Sequence, residues 1–205
     1  MTTRKVRSAR PGTAEMDCME ILSNTAGHFR TITEHKIRVM RHCFAVGLYW
    51  QGVTHDLSKY TPVEFLNGCK YYQHGRRSPN NAEREDRGYS LAWMHHKGRN
   101  RHHYEYWNDY RAKREEGKPP VVYVPMPRRY VAEMLMDRIS ASETYRGEEY
   151  TQHDPLKYYL NGAGSKLMHP RTARELERLL RILDKRGQRE LDRFVRDYYL
   201  KGYPM

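Results

Sequence analysis

The chain has 205 residues, of which 38% are hydrophobic and 30% are charged, with 37 Lys and Arg against 25 Asp and Glu. This length suits one domain that can bury a core without disulfides or structural metals. A net charge of +12 attracts anions. We therefore expect a small phosphate-containing ligand and keep nucleic acid as a further partner, while the composition leaves the oligomeric state open.

Several features of membrane and secreted proteins are missing from the sequence. No apolar run approaches the roughly 18 residues of a transmembrane helix, and the basic N-terminus lacks the apolar stretch of a signal peptide. The three cysteines form no CxxC pair and indicate no disulfide framework. We expect a cytoplasmic protein without membrane contact, with residues 1–13 as a disordered basic tail and residues 14–205 as one domain.

The spacing of apolar residues predicts helices along most of the chain. A first helix is expected to begin near Ala14 and to end at Gly27, and a second covers about Thr33 to Val46. Residues 75–86 are predicted to form a loop. Further helices are predicted at 49–57, 61–73, 89–97, 102–112, 128–145 and 154–161. The remaining segment, residues 113–127, is a proline-rich linker in which residues 121–124 could form one short strand without a partner.

The C-terminal region has the clearest helical pattern. Apolar side chains recur there with the spacing of one helix face, first before Gly187 and then again after it. The first set is Leu176, Leu179, Leu180 and Leu183, and the second is Leu191, Phe194, Val195 and Tyr198. This pattern predicts an αα-hairpin, so the expected fold is an all-α bundle that ends in this hairpin.

Candidate metal ligands lie on separate predicted helices. His35 opens the second helix, His55 and Asp56 close the third, and Asp137 lies in the middle of the helix predicted at 128–145. Imidazole and carboxylate groups together suit a divalent Mn, Fe, Co, Ni or Zn ion, and ligands from several helices can hold an ion inside a bundle. His42 lies on about the same helix face as His35 and is an alternative ligand.

Two further histidine pairs, His95–His96 and His102–His103, flank a break at Gly98. Neighbouring residues of a helix point about 100° apart, so one member of each pair should face a metal while the other faces elsewhere. We favour His96 and His103 as ligands, and their neighbours remain alternatives.

The succession of His, His-Asp, His and Asp on separate helices resembles the HD superfamily, whose members are all-α and mostly metal-dependent phosphohydrolases. A closer resemblance is to an uncharacterised family of small bacterial and phage proteins. It rests on residues 47–52 (GLYWQG), 55–60 (HDLSKY) and 93–96 (WMHH), and covers about residues 28–200. The resemblance implies an HD-like helical bundle that holds one or two divalent ions. The implied ligands are His35, His55, Asp56, His96, His103 and Asp137.

Two residues near the His-Asp pair are candidates for catalytic roles by analogy. Lys59 could bind a phosphate, and the alternative is an exposed lysine at a helix end. Glu64 could orient a water molecule, but its position three residues after Thr61 also fits a helix-capping box.

Three more residues could support the site. Arg99 and Arg101 lie between the histidine pairs and could bind a phosphate by bidentate contacts, or they could belong to a solvated loop. Glu133 lies one helical turn before Asp137 and could orient a metal ligand from behind.

These observations favour a metal-dependent phosphohydrolase that acts on a nucleotide or another phosphate ester. The alternative is a non-enzymatic protein, either a basic nucleic-acid binder or a phage-related interaction protein, with a structural or vestigial metal site. The two differ in whether loss of a ligand such as Asp56 abolishes hydrolysis or leaves binding unchanged.

Overall fold

The computed structural model describes residues 17–162 and 164–204, so the tail predicted at residues 1–13 lies outside the described part. That part is all-α, as predicted, apart from one small antiparallel sheet of Asn108–Tyr110 (β1) and Val121–Tyr123 (β2). The helices are Cys18–Ala45 (α1), Tyr49–Thr54 (α2), Pro62–Lys70 (α3), Pro79–Arg87 (α4), Leu91–Lys97 (α5), Arg128–Arg146 (α6), Asp154–Asn161 (α7), Pro170–Arg186 (α8) and Gln188–Phe194 (α9).

The first two predicted helices form one continuous helix, α1, so the prediction that Gly27 ends a helix is wrong. Gly27 instead lies inside α1, where a Cβ atom would come within 2.5 Å of the Tyr72 ring. A glycine inside a helix lowers its stability by about 1 kcal/mol relative to alanine. Here the absence of a side chain allows the Tyr72 ring to pack directly against α1.

Gly68 likewise allows α3 to pack closely against α1. We expect its replacement by alanine to destabilise the fold. A Cβ atom at Gly68 would lie 2.0 Å from Nε2 of His28, whose buried, neutral ring has its pKa lowered to about 4, chiefly by burial. Overpacking costs about 1–3 kcal/mol, which exceeds the gain of up to about 1 kcal/mol in helix propensity.

Thermal unfolding of Gly68→Ala should therefore show a melting temperature several degrees below that of the wild type, at about 2–4 °C per kcal/mol. Gly98→Ala is the matched control, because a Cβ atom there would have no neighbour closer than 3.4 Å. Equal melting temperatures for Gly68→Ala and the wild type would contradict this packing.

A second correction concerns residues 75–86, which were predicted to be a loop. Most of this segment belongs to α4, which begins with Pro79 in its first turn, a position that proline favours. The buried carboxylate of Glu83 accepts hydrogen bonds from Ser90 Oγ (2.6 Å) and from the Leu91 backbone N–H (3.1 Å). Helix α4 thereby supplies a hydrogen-bond acceptor for the start of α5, the helix that carries His95 and His96.

The helix predicted at residues 102–112 is also absent. Residues 101–103 form a turn, Tyr104–Tyr106 is a short 3₁₀ segment, and β1 follows it. Strand β2, which the sequence indicated as a strand without a partner, pairs with β1 so that Asp109 lies opposite Val122.

The hydrophobic core lies where α6 packs between α1 and the C-terminal hairpin. The predicted hairpin is present as α8 and α9, and α9 continues into a π-helical turn at Val195–Tyr199. The fully buried residues on these helices include Leu135, Ile139, Leu176, Leu179, Leu180, Leu183, Leu191 and Tyr199. Among the described residues, no helix combines the length and apolar character needed to cross a bilayer.

Candidate metal centre

A turn between α2 and α3 places the His-Asp pair inside the bundle. Asp56 has φ +54°, a left-handed conformation that is uncommon for a residue other than glycine and often marks functional sites. Lys36 on α1 supports this turn, because its Nζ donates to the carbonyl oxygens of Val53 (2.6 Å) and His55 (2.8 Å). The side chains of His55 and Asp56 are consequently buried against α1 and α6.

A first group of possible ligands consists of His35, His55, Asp56 and Asp137, whose ligand atoms lie within 4.8 Å of one another. His35 belongs to the buried stripe of α1. Its Nε2 lies 3.0 Å from Oδ1 of Asp137 on α6, and Nε2 of His55 lies 3.3 Å from Oδ2 of Asp56. The structure therefore brings together the four residues that the sequence marked as one site.

A second group, on the other side of Asp56, consists of Asp56, His96, His102 and His103. Nε2 of His96 and Nε2 of His102 lie 3.3 Å and 3.4 Å from Oδ1 of Asp56. Asp56 thus presents Oδ1 to this group and Oδ2 to the first. Asp56 could therefore serve as a ligand in either group.

His102 is a candidate ligand that the sequence analysis did not favour. The expectation that only one of His102 and His103 faces the site assumed helical geometry, whereas both lie in a turn with ring centroids 4.2 Å apart. The useful signal was Gly98 with Asn100, since these residues favour turns and argue against a continuing helix. The His95–His96 pair does lie on a helix, and only His96 approaches Asp56.

Two buried glutamates hold the histidines from behind. Oε1 of Glu133 accepts a hydrogen bond from Nδ1 of His55 at 3.0 Å, and Nδ1 of His102 lies 3.1 Å from the same oxygen. A carboxylate at Nδ1 fixes the proton there, so that the Nε2 lone pair is available to a metal. Glu133 therefore occupies the supporting position that its place on α6 suggested.

Glu64 supports the second group in the same way. Its Oε1 and Oε2 accept from Nδ1 of His95 (2.6 Å) and Nδ1 of His96 (2.7 Å). The capping-box interpretation does not hold, because Thr61 makes no side-chain cap and its hydroxyl donates to the Ser58 carbonyl instead. The carboxylate of Glu64 is thus engaged with two imidazoles.

The ligand atoms have the chemistry expected of a metal site. Five buried atoms of the two groups make no hydrogen bond of normal geometry with any described residue, although Nε2 of His35 is 3.0 Å from Oδ1 of Asp137. The five are Nε2 of His35, His55, His102 and His103, and Oδ1 of Asp56. Buried polar atoms without partners are rare and costly in folded proteins. Unpartnered atoms also occur elsewhere in the described residues, but these five converge in two groups with metal-ligand spacing, so divalent cations fit this set of donors.

The electrostatics of the cluster also favour a cation. Burial alone would raise the pKa of Asp56 and of Asp137, but nearby histidines hold both values well below the usual range, with Lys59 contributing at Asp56. Burial opposes protonation of His55, yet the charge of Asp56 raises its pKa well above the usual value. The buried carboxylates are thus stabilised by nearby positive charge, which the imidazoles and Lys59 supply here and which metal ions could also supply.

Lys59 lies at the more accessible edge of the cluster. Its Nζ is 2.6 Å from Oδ2 of Asp56, and its side chain is 27% exposed, compared with 18% for Asp137 and 3% for Asp56. Burial would lower its pKa, but Asp56 and Asp137 outweigh this effect and keep the ammonium charged. An anionic ligand that reached the metal centre from this edge would meet Lys59 first.

Three other candidates lie apart from the cluster. Arg99 is exposed and donates to the His95 carbonyl, and Arg101 is exposed and donates to the Tyr130 hydroxyl, so neither is brought to the ligand groups. The alternative ligand His42 pairs with Glu143 instead, at 3.1 Å.

Replacing Glu133 with glutamine should weaken metal binding by about tenfold or more, because a neutral amide holds the two imidazoles less firmly and lowers their basicity. The measurement is competition between the protein and a chromogenic chelator for Mn or Zn. Glu143→Gln is the matched control, since Glu143 lies on the same helix and pairs with His42 outside the site. Equal losses in both variants would contradict the supporting role.

Comparisons with known proteins give one family. No curated protein and no solved structure gives a significant match to the chain. One family model matches residues 24–182, which include both ligand groups and the two supporting glutamates. Since this match covers most of the chain, the protein belongs to the family of unknown function DUF5662.

Proposed function

We propose that this protein is a metal-dependent phosphohydrolase that binds two divalent ions, one on each side of Asp56, and acts on a nucleotide or another small phosphate ester. The observation that carries the proposal is the position of Asp56. Its two oxygens face two different groups of buried ligands. Paired metal sites that share a ligand are a recurrent arrangement in enzymes that hydrolyse phosphate esters.

The ligand atoms of the two groups favour binding of Mn, Fe, Co, Ni or Zn, since they combine neutral imidazoles with carboxylates and include no thiolate. When bound, such ions lower the pKa of a coordinated water molecule and neutralise charge on a phosphoryl group. His35, His55, Asp56 and Asp137 would hold one ion, and Asp56 with His96, His102 and His103 would hold the other. Glu133 and Glu64 would keep the imidazoles in the required orientation.

Lys59 and the overall charge support an anionic substrate. The ammonium lies beside Asp56 at the more accessible edge of the cluster, where it could contact phosphoryl oxygens and stabilise their developing charge. The net charge of +12 favours the arrival of anions. The order of His, His-Asp, His and Asp also resembles that of HD phosphohydrolases, and this likeness supports hydrolysis without naming a substrate.

The proposal is tested by phosphate release from a broad panel of nucleotides and other phosphate esters, with Mn, Co, Ni, Zn or Fe(II) added in turn. We expect turnover of at least one ester, and about a tenfold or greater loss of kcat/KM in Lys59→Met, which removes a charge at the site. Lys157→Met is the control, since Lys157 is exposed on α7. Absence of turnover for every ester with every metal would overturn the proposal.

A further inference from the structure

A groove of about 720 Å³ crosses the C-terminal hairpin and contains no residue of the metal cluster. One wall is a face of α8, and the other is α9 with the π-helical turn that follows it. The charges that line it are mostly positive, with two carboxylates, Glu190 and Asp197. The cationic side chains are Arg178, Arg181, Lys185, Arg186 and Arg193.

Three of these cations are available to a ligand. The side chains of Arg178, Lys185 and Arg186 are exposed and make no ion pair or hydrogen bond with any residue in the described part of the chain. Arg181 and Arg193 are instead paired with Glu177 and Glu190. Arg178 and Lys185 are seven residues apart and therefore lie on the same face of α8. Unpaired cations along one helix can neutralise phosphates of a nucleic-acid backbone.

Aromatic rings lie in the same groove. Phe194 and Tyr198 are stacked with ring centroids 5.9 Å apart and planes 18° apart, and Tyr198 is 56% exposed. An exposed aromatic ring beside cations is the arrangement on which unpaired bases stack. Tyr198 belongs to the π-helical turn Val195–Tyr199, and such turns occur frequently at functional sites.

We propose that this groove binds single-stranded nucleic acid, with the phosphates along the cations of α8 and a base stacked on Tyr198. A duplex keeps its bases stacked on one another, so it would use the cations but not the ring. An acidic protein or an anionic membrane would likewise need the charges alone. The combination of an unpaired cationic row with an exposed ring therefore favours unpaired bases, and this surface is separate from the metal centre.

The test is fluorescence anisotropy of the full chain, with its metal content unchanged, against labelled oligo(dT), oligo(U) and a duplex of equal length, with gel electrophoresis to check that the oligonucleotides stay intact. We expect tighter binding of single strands than of the duplex, with an affinity that falls as salt increases. Tyr198→Ala should weaken single-strand binding by roughly tenfold and leave duplex binding nearly unchanged, whereas Tyr198→Phe should retain single-strand binding.

Charge-reversal variants distinguish binding in the groove from binding that depends only on the net positive charge of the protein. The double variant Arg178→Glu with Lys185→Glu should reduce the steepness of the log–log salt dependence by about 1.4, at about 0.7 for each lost phosphate contact with a single strand. The control Lys113→Glu with Arg114→Glu changes the net charge equally in the exposed β1–β2 loop. Equal effects of the two double variants, or an unchanged affinity in Tyr198→Ala, would overturn the proposal, as would binding of anionic vesicles without binding of oligonucleotides.

Discussion

Replacing Asp56 with asparagine should abolish metal-dependent hydrolysis while leaving the fold intact. Asp56 presents one oxygen to each ligand group, so its loss would affect both ions rather than one. We expect kcat/KM to fall by at least about 1000-fold, which corresponds to about 4 kcal/mol of transition-state stabilisation.

Asparagine is the suitable replacement because it has nearly the shape of aspartate and tolerates the left-handed φ of +54° at this position. Circular dichroism should show an unchanged helical content, because the core of α6, α8 and α9 does not include Asp56. Asp192→Asn is the control, since Asp192 is a partly buried carboxylate on α9 that accepts from Gln188. Wild-type turnover in Asp56→Asn would exclude a catalytic role for this carboxylate.

Removing divalent ions from the wild type should lower its melting temperature by roughly 5–15 °C. Ligands present at 100 to 1000 times their dissociation constant stabilise a fold by about 2.7–4.1 kcal/mol, and each kcal/mol corresponds to about 2–4 °C for a chain of this size. We expect the melting temperature to fall rather than to rise. Without divalent ions, the buried carboxylates would lose a neutralising charge and the unpartnered imidazole nitrogens would lose a bonding partner.

Differential scanning fluorimetry before and after dialysis against EDTA measures this shift, and adding Mn or Zn back should reverse it. Asp56→Asn provides the control, since chelation should shift its melting temperature much less than that of the wild type. A wild-type melting temperature that does not respond to chelation or to added metal would show that the cluster does not depend on ions for its stability.

The sequence was most informative where the order of His, His-Asp and Asp resembles the HD superfamily, because it marked four residues that the structure brings together. His35 shares the spacing of the buried residues Ile32, Val39 and Cys43 on α1, and Asp137 lies on the same face of α6 as Glu133. These positions show how the two side chains reach the cluster, but it was the resemblance to the HD superfamily, and not apolar periodicity, that selected them. The His55–Asp56 pair was found through its motif, while its left-handed turn and its support by Lys36 were not predictable from spacing.

The sequence was least informative where the chain leaves regular structure or where a local rule competes with a tertiary contact. His102 was missed as the favoured ligand because the segment was assigned to a helix, although it forms a turn. Glu64 fitted a capping box by position, but its carboxylate is used by two imidazoles from α5. Gly27 fitted a helix end, whereas its role depends on the distant Tyr72 ring. Such partners cannot be identified without the fold.

We propose that Asp56 lies between two metal ions, and the metal content of the purified protein tests this arrangement most directly. The wild type should be saturated with Mn, Co, Ni, Zn or Fe(II) in turn, freed of excess ion by gel filtration, and analysed by inductively coupled plasma mass spectrometry. We expect about two ions per chain for the best-bound metal and a loss of most of this metal in Asp56→Asn. No stoichiometric ion in the wild type, or equal metal content in Asp56→Asn, would contradict the account.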